Sequence, residues 1–314
     1  MHGAYLRALL AVEHEWVVPV TPGREPGYAG LPTDGPPWPP NVREVPAEEV
    51  RELDLDVVVF QHRRNWEVDQ HAILNPEQRA GPRVHIEHDP PFTGSPTDSR
   101  HPIDDPEVLL VHVTHYNALM WDSGDVPTTV VEHGVPDRGP LWTGELERGI
   151  VVVNHLARRG RRLGADVFAR ARDGAGLPLD LVGMGAEESG GLGEIKPQDL
   201  PAFQARYRFF FNPIRYTSLG LAVCEAMMLG MPPVVLATTE HGVTVRDGVN
   251  GFAGTDERAL HEGMRALLAD RALAARLGEA ARATALERFG LERFAADWTR
   301  VLEGVRRGPP SPPR

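Results

Sequence analysis

Short apolar runs alternate with helix-like stretches along the whole chain, and this alternation constrains the fold more than any other feature. The runs are only a few residues long and mostly rich in Val, as strands buried on both faces of a parallel sheet are. Alternation of this kind predicts an α/β fold in which helices cover parallel sheets. We predict strands at residues 16–20, 55–61, 83–88, 109–113 and 129–132, and again at 150–154, 179–182, 208–211 and 234–237.

Segments rich in Pro and Gly divide this pattern into two α/β domains. Helical spacing of apolar residues predicts helices at 259–268, 271–289 and 291–305, and the last of them are expected to pack across the domains. A long surface loop is predicted at 21–41, where prolines and glycines are interleaved. The predicted divisions are an N-terminal domain at 1–138, a linker at 139–148, a C-terminal domain at 149–282, C-terminal helices at 283–307 and a disordered tail at 308–314.

The start of the chain lacks an expected element. A helix-like stretch at 4–12 comes before the first strand candidate at 16–20. In a βαβ unit such a helix follows a strand. We therefore expect that the first strand of the N-terminal domain is missing from this sequence and that the natural start lies upstream.

Composition excludes several classes of function. The formal charge of −11 argues against a general nucleic-acid binder, which would carry a basic field. The single cysteine, Cys224, rules out an intrachain disulfide and a cysteine-rich zinc site. No apolar run approaches the length of a membrane span, and the start does not read as a secretory signal. We predict a cytoplasmic protein without a transmembrane segment, and peripheral membrane contact stays open.

The most informative stretch lies between residues 207 and 237. We predict a strand, a loop, and then a helix at 219–229 with Thr217 or Ser218 as its N-cap. Gly220 lets a ligand approach the backbone, and the free amides and the dipole of a helix start favour an anion such as a diphosphate. Glu225 would lie about 9 Å further along the helix, where it could accept hydrogen bonds from ribose hydroxyls. The alternative is a glutamate that simply reaches solvent.

The sequence S-L-G-L-A-V-C-E-A-M at 218–227, followed by G-M-P, resembles the donor-site motif of glycosyltransferase family 4, the glycosyl transferases group 1. Residues 247–252 and 285–289 are similar to later segments of that family. The resemblance covers about 150–305 and is traceable from 16 to 137. It implies the GT-B fold, with two Rossmann-like domains that face a cleft, the N-terminal one on the acceptor side.

The resemblance also implies roles for individual residues. Glu225 matches a family glutamate that binds the ribose. Thr217 stands where the family has another glutamate, which contacts the donor sugar and helps at the reacting centre. Arg159 matches a lysine that faces the diphosphate, and a Gly-x-Gly turn at Gly183 lies beside the base. The implied donor-binding residues are Asn154, His155, Arg159, Gly183, Ser218, Leu219, Gly220, Leu221 and Glu225.

The loop that contains Arg159 also has its own physical argument. It follows the strand predicted at 150–154, and ligands of open α/β sheets bind at such strand ends. The arginines at 158, 159, 161 and 162 would oppose the dipole of a helix N-terminus. A bound anion would offset that cost.

The first domain offers histidines at strand ends. Alternation places Val84, Ile86 and His88 on one face, so that His88 is the polar end of an apolar row. By resemblance, His88 is catalytic and reaches the donor sugar, and His133 is an acceptor-side residue. Trp121 and Asp122 could contribute to the acceptor pocket. The histidine spacings fit no standard zinc pattern, and we expect no metal.

The function implied is transfer of a hexose-like sugar from a nucleoside diphosphate sugar to the hydroxyl of a glycan, lipid-linked or small-molecule acceptor. The resemblance implies retention of configuration, and no cofactor other than the nucleotide-sugar co-substrate. One alternative is a nucleotide-sugar epimerase of the same fold. A pyridoxal-dependent phosphorylase is disfavoured because Lys196, the only lysine, lies in a loop. A further alternative is a degenerate, non-catalytic sugar-nucleotide-binding protein, which Thr217 favours.

Overall fold

A computed structural model describes residues 3–25, 27–32 and 37–307. The predicted disordered tail at 308–314 lies outside the described residues. The chain forms two compact units, one that ends at Gly134 and resumes at Leu291, and one that spans Val135–Gly290. The first unit therefore contains both the first and the last described residues. Residues 139–148, where we predicted a linker, lie inside the second unit, because Trp142 donates from its backbone to Leu229 O and from its indole to Tyr207 O.

The described part of the first unit contains two parallel sheets. Strand β1 (Trp16–Val20) pairs with β2 (Val42–Pro46). Strands β3 (Val58–Phe60), β4 (Arg83–Glu87), β5 (Val108–His112) and β6 (Thr128–Val130) form a second sheet in that order. Strand β2 was not predicted, because its charged residues and half-exposed side chains give it no apolar run.

Among the described residues, four short α-helices accompany these strands: α1 (Gly3–Leu10), α2 (Gln70–Ile73), α3 (Pro76–Ala80) and α4 (His115–Met120). Helix α1 is anchored by the burial of one apolar face, on which Tyr5 and Leu9 are each 1% exposed. Helix α3 begins with a complete capping box, in which Asn75 and Gln78 each accept a backbone N–H of the other, and Pro76 occupies the first turn.

The second unit contains one five-stranded parallel sheet. Its strands are β7 (Leu146–Val152), β8 (Leu179–Val182), β9 (Tyr207–Asn212), β10 (Pro233–Leu236) and β11 (Phe252–Gly254). Their order across the sheet is β8-β7-β9-β10-β11. Strand β11 was not predicted, because three residues are too few to show a period.

Helices cover both faces of this sheet, and two buried apolar clusters lie beneath them. Helices α10 and α11 are N-capped by Asp256 and Asp270, whose carboxylates accept backbone N–H groups of the first turn. The helices are α5 (Leu156–Leu163), α6 (Ala165–Ala169), α7 (Leu200–Gln204), α8 (Leu221–Met228), α9 (His241–Thr244), α10 (Glu257–Ala269) and α11 (Arg271–Phe289).

The last helix, α12 (Leu291–Arg307), returns the chain to the first unit. Phe294, Trp298 and Leu302 recur at helical spacing and are buried. The Phe294 ring lies 5.6 Å from the ring of Tyr5 on α1. Gly134 is tightly covered by this helix, since a Cβ there would lie 2.5 Å from Phe294 Cγ. None of the described helices is both long and apolar enough to cross a membrane.

Candidate functional site

The strand order of the second unit marks one edge of its sheet for ligand binding. From β7 the chain crosses to β8 on one side, whereas from β9 it crosses to β10 on the other, so the order reverses between β7 and β9. In open parallel sheets, ligands bind outside the carboxyl ends of the strands at such a switch point. The loops that leave β7 and β9 there are residues 153–155 and 213–220, and both contain predicted donor-binding residues.

The loop after β7 is joined to the loop after β8 by three contacts. Asn154 Oδ1 accepts the Met184 N–H at 2.9 Å, and the His155 N–H donates to Met184 O at 2.7 Å. Gly183 has a φ of +134°, and a Cβ there would lie 2.6 Å from Val153 O. The structure thus brings Asn154, His155 and Gly183 together, and only glycine fits the last position.

Helix α5, which follows, differs from the expected helix start. Gly160 has φ 56° and ψ −136°, which interrupts the helix between two short turns. Arg161 and Arg162 lie in the last turn, where the dipole favours positive charge. Only Arg158 and Arg159 lie near the N-terminus, and both are exposed. The prediction of four arginines that oppose the dipole was therefore wrong.

Helix α8 also starts later than predicted. Gly220 is its N-cap residue, with no side-chain cap, and the first helical residue is Leu221. Neither Thr217 nor Ser218, the predicted N-caps, occupies that position. Ser218 is 5% exposed, and its carbonyl accepts the Thr239 hydroxyl at 3.1 Å. Glu225 is consequently four residues, or about 6 Å, beyond the start of the helix rather than about 9 Å.

The residues around this helix start divide between core and surface. Leu219 is 2% exposed and packs in the apolar cluster under α8, so it can offer a ligand only its backbone. Leu221 is half-buried against the same cluster. Thr217 and Gly220 are half-buried. The helix start thus presents Thr217, Gly220 and Leu221 at the loop edge, over a core that fixes Leu219.

Glu225 is half-buried, between the buried residues Cys224 and Ala226. Desolvation raises the pKa of the Glu225 carboxyl to about 7, and the positive charge of Arg138 opposes this rise. Arg138 was not predicted as a site residue. It becomes a neighbour of α8 because the adjacent Asp137 forms two 2.8 Å hydrogen bonds with Arg282 of α11.

A second set of residues that the sequence did not reveal joins the loop after β9 to the end of α5 and the start of α6. Arg215 donates to both carboxylate oxygens of Asp166 at the start of α6. Its own N–H donates to Arg162 O at 3.0 Å. Gly164 has a φ of +80°, and a Cβ there would lie 1.8 Å from Pro213 O, so the loop after β9 directly contacts the turn between α5 and α6. Arg215 lowers the pKa of the Asp166 carboxyl, and Arg170 adds to this effect.

In the first unit, Tyr5 joins the two predicted histidines. Its ring lies 4.7 Å from the half-buried His88 ring and 6.0 Å from the His133 ring, edge-on to both. His133 is 4% exposed, and its carbonyl accepts a hydrogen bond from Arg293 of α12. Burial raises the pKa of the Tyr5 hydroxyl, so this side chain is neutral. Tyr5 was not predicted to belong to the site.

The other polar residues considered in this unit have structural partners. Trp121 donates to Asp89 O at 2.9 Å and its ring lies 4.9 Å from that of His101, while Asp122 pairs with Arg100 at 3.1 Å. In the part of the chain that the structure describes, no group of three His, Cys, Asp or Glu residues is arranged to hold a metal ion. An acceptor role for Trp121 and Asp122 stays a prediction.

This architecture is shared with solved glycosyltransferases of the GT-B fold. A TarM mutant of S. aureus in complex with Fondaparinux, alpha-GlcNAc-glycerol and UDP matches with a TM-score of 0.62 at 12% identity, over 82% of this chain and 58% of that one. Sucrose-phosphate synthase from Thermosynechococcus elongatus matches with a TM-score of 0.67 at 16% identity, over 96% of this chain and 92% of that one. Anabaena HepE in complex with UDP matches with a TM-score of 0.60 at 16% identity, over 82% of this chain and 80% of that one.

The chain has the GT-B fold, as predicted, and it spans less than two thirds of the TarM chain. The family model of the glycosyl transferases group 1 matches residues 187–284, which contain β9, α8 and β10. The resemblance to that group is thereby confirmed over this segment. No curated protein sequence matches the chain.

Proposed function

We propose that this protein transfers a glycosyl group from a nucleoside diphosphate sugar to an acceptor hydroxyl. One observation carries the proposal. The start of α8 borders the switch point at the carboxyl ends of the strands in the second unit, and Glu225 lies four residues beyond the first residue of that helix. This helix start lies within the segment that matches the family model. The loop with Asn154 borders the other side of the switch point, so a nucleotide would be held from two strands.

The diphosphate would lie against the backbone amides at Gly220 and Leu221, where the helix dipole favours negative charge. Arg159 would add a guanidinium, which can bind two phosphate oxygens at once. Glu225 would accept the ribose hydroxyls. Together the amides and Arg159 would stabilise the charge that develops on the leaving diphosphate, without the need for a divalent cation.

The finer features rest on the resemblance. They are a hexose-like sugar, retention of anomeric configuration, and roles for Thr217 and His88 at the reacting centre. His133 is proposed as an acceptor-side group of the first unit. The TarM and HepE structures contain UDP, which makes uridine diphosphate sugars the first donors to try.

The decisive experiment incubates the purified protein with radiolabelled UDP-, GDP- and ADP-sugars and follows release or transfer of the label. Slow hydrolysis, or transfer to an added acceptor, supports the proposal. Inversion at C2 of the donor sugar would show an epimerase instead. Tight binding with no turnover for any donor would show a sugar-nucleotide-binding protein, which the threonine at position 217 already favours among the alternatives.

A further inference from the structure

A cavity of about 350 Å³ opens on the first unit, and the proposed function does not use it. Its lining includes Trp66, Glu67, His71, Arg79, Arg83 and Asp105. Arg83 is the first residue of β4, and Asp105 precedes β5. Because the strands are parallel, the cavity lies at their amino ends, whereas His88 follows the carboxyl end of β4.

Both carboxylates of the lining are already neutralised. Asp105 Oδ2 lies 3.0 Å from Arg83 Nη1, and its other oxygen accepts the Glu107 N–H at 2.9 Å. Glu67 accepts a hydrogen bond from Arg63 at 2.6 Å. The negative groups of the cavity therefore leave no charge to balance a further cation.

Arg79 is the cation that stays unbalanced. Its Nη1 donates to His71 Nδ1 at 3.1 Å, so its partner is another base. Among residues 3–25, 27–32 and 37–307, no carboxylate lies within ion-pair distance of Arg79. Because Nδ1 accepts this bond, neutral His71 carries its proton on Nε2 and is a second donor. These two adjacent donors give this part of the lining a net positive charge, although the formal charge of the whole chain is −11.

We propose that this cavity binds the phosphate or carboxylate group of a small ring-containing ligand, such as an acidic or phosphorylated sugar. The free edge of the Arg79 guanidinium offers paired N–H donors, the geometry that two oxyanion oxygens accept. The Trp66 indole supplies a flat apolar surface in the same lining, with the Arg83 guanidinium 5.7 Å from its ring centroid. The volume is at the small end of the range for ligand sites, which limits the occupant to roughly a monosaccharide derivative.

The test is a calorimetric titration of the full chain with glucose 1-phosphate, glucuronate and glucose, at constant ionic strength. Saturating UDP is present throughout, so that the proposed donor site in the second unit is occupied. We expect the wild type to bind at least one charged probe at millimolar concentration and not to bind glucose. Comparison of the two charged probes shows whether the cavity prefers a phosphate or a carboxylate group. Failure of both to bind would overturn the proposal.

Three variants locate the binding. Arg79→Gln should lower the affinity for the charged probe by about tenfold or more, because it removes the paired donors. Glu67→Gln removes a negative charge from the lining and should bind the charged probe as tightly as the wild type does, or more tightly. Arg43→Gln changes an exposed arginine of β2 outside the cavity and should have no effect.

Equal binding by wild type and Arg79→Gln would contradict the assignment, as would an equal loss in Arg43→Gln. The melting temperature of each variant shows whether the first unit has folded. UDP binding is measured separately, so its absence would count against the proposed function and not against this cavity.

Discussion

Asp166 accepts two hydrogen bonds from the guanidinium of Arg215, at 2.5 and 2.7 Å. Asp166 belongs to α6, and Arg215 belongs to the loop between β9 and α8. Both side chains are 26% exposed, so the pair is partly shielded from water. This pair holds the loop that leads into α8 against α6, and the bond from the Arg215 N–H to Arg162 O holds the same loop against the end of α5.

Replacing Asp166 by Asn should weaken UDP binding by about tenfold, because Arg215 loses a bidentate partner and the loop before α8 moves. The free energy of unfolding should fall by only about 1 kcal/mol, since Asp166 and its partners Arg161, Arg170 and Arg215 are partly exposed and screened. Calorimetry and chemical denaturation measure the two quantities. Asp173→Asn, which removes another partly exposed ion pair of the second unit, is the control. Equal UDP affinity in both variants would show that the pair only stabilises the fold.

Replacing Glu225 by Gln should reduce UDP affinity by about 10- to 100-fold, because hydrogen bonds to a charged acceptor contribute about 1.5–3 kcal/mol. The fold should persist, since Gln has the same shape and needs less desolvation. The control is Glu279→Gln, an exposed glutamate of α11. Unchanged UDP affinity in Glu225→Gln would refute the ribose assignment.

The raised pKa of Glu225, about 7, makes donor binding depend on pH. If the ionised carboxylate accepts the ribose hydroxyls, binding releases a proton below pH 7, and affinity should rise with pH and level off above about 7. UDP-glucose suits this measurement because its diphosphate does not titrate in that range. Calorimetry in buffers of different ionisation enthalpy counts the protons, and Glu225→Gln should remove the dependence.

The same pKa shift makes stability fall as pH rises, whereas donor affinity should increase with pH. The Glu225 pKa is higher in the folded than in the unfolded chain, so its contribution to stability is complete at low pH and is lost as pH rises toward 7. A rise in stability over that range in Glu225→Gln relative to the wild type would agree with this sign.

Thr217→Glu tests whether the absent carboxylate limits catalysis. A negative charge just before α8 is favoured by the helix dipole, so the variant should fold. We expect donor hydrolysis or transfer to increase by about tenfold or more if the chain is a transferase. Thr255→Glu places the same charge at an exposed position of the second unit and should leave the rate unchanged. No change in Thr217→Glu would contradict the role given to position 217.

Buried histidines should make the first unit acid-labile. Burial, with the nearby His101, lowers the pKa of His85 to about 3 and that of His112 to about 4. The unfolded chain takes up protons below about pH 6.5 that the folded chain does not, so stability should fall as pH falls below that value. Each histidine contributes at most about 1.4 kcal/mol per pH unit.

Denaturation of His112→Leu between pH 7 and 5 should show a shallower loss of stability with acid than the wild type shows. His115→Gln, which changes an exposed histidine of the same unit, should keep the full slope. Parallel slopes in all three proteins would show that burial of His112 does not control the acid response.

Most of the fold could be predicted because local patterns are strong where strands are buried. Strand 179–182 and helix α11 were predicted at their observed bounds. Strand 16–20 was also predicted at its bounds, although only Val18 of it is buried. The missed strands are those with weak local signals: β2 is half-exposed and charged, and β11 is three residues long. Pairing with a neighbour in the sheet, rather than their own apolar pattern, makes these segments strands.

The sequence alone determined the α/β class, the resemblance to a glycosyltransferase motif and most of the candidate residues, because strand period, helix period and a glycine before a helix are local properties. Only the tertiary structure decided that α8 starts at Leu221, because the Ser218 carbonyl and Thr239 hydroxyl join across loops far apart in the chain. It also decided the Asp166–Arg215 pair, the proximity of Arg138 to Glu225 and the Arg79 cavity. These depend on which strands become neighbours, and strand order is set by packing over long sequence separations that no local pattern encodes.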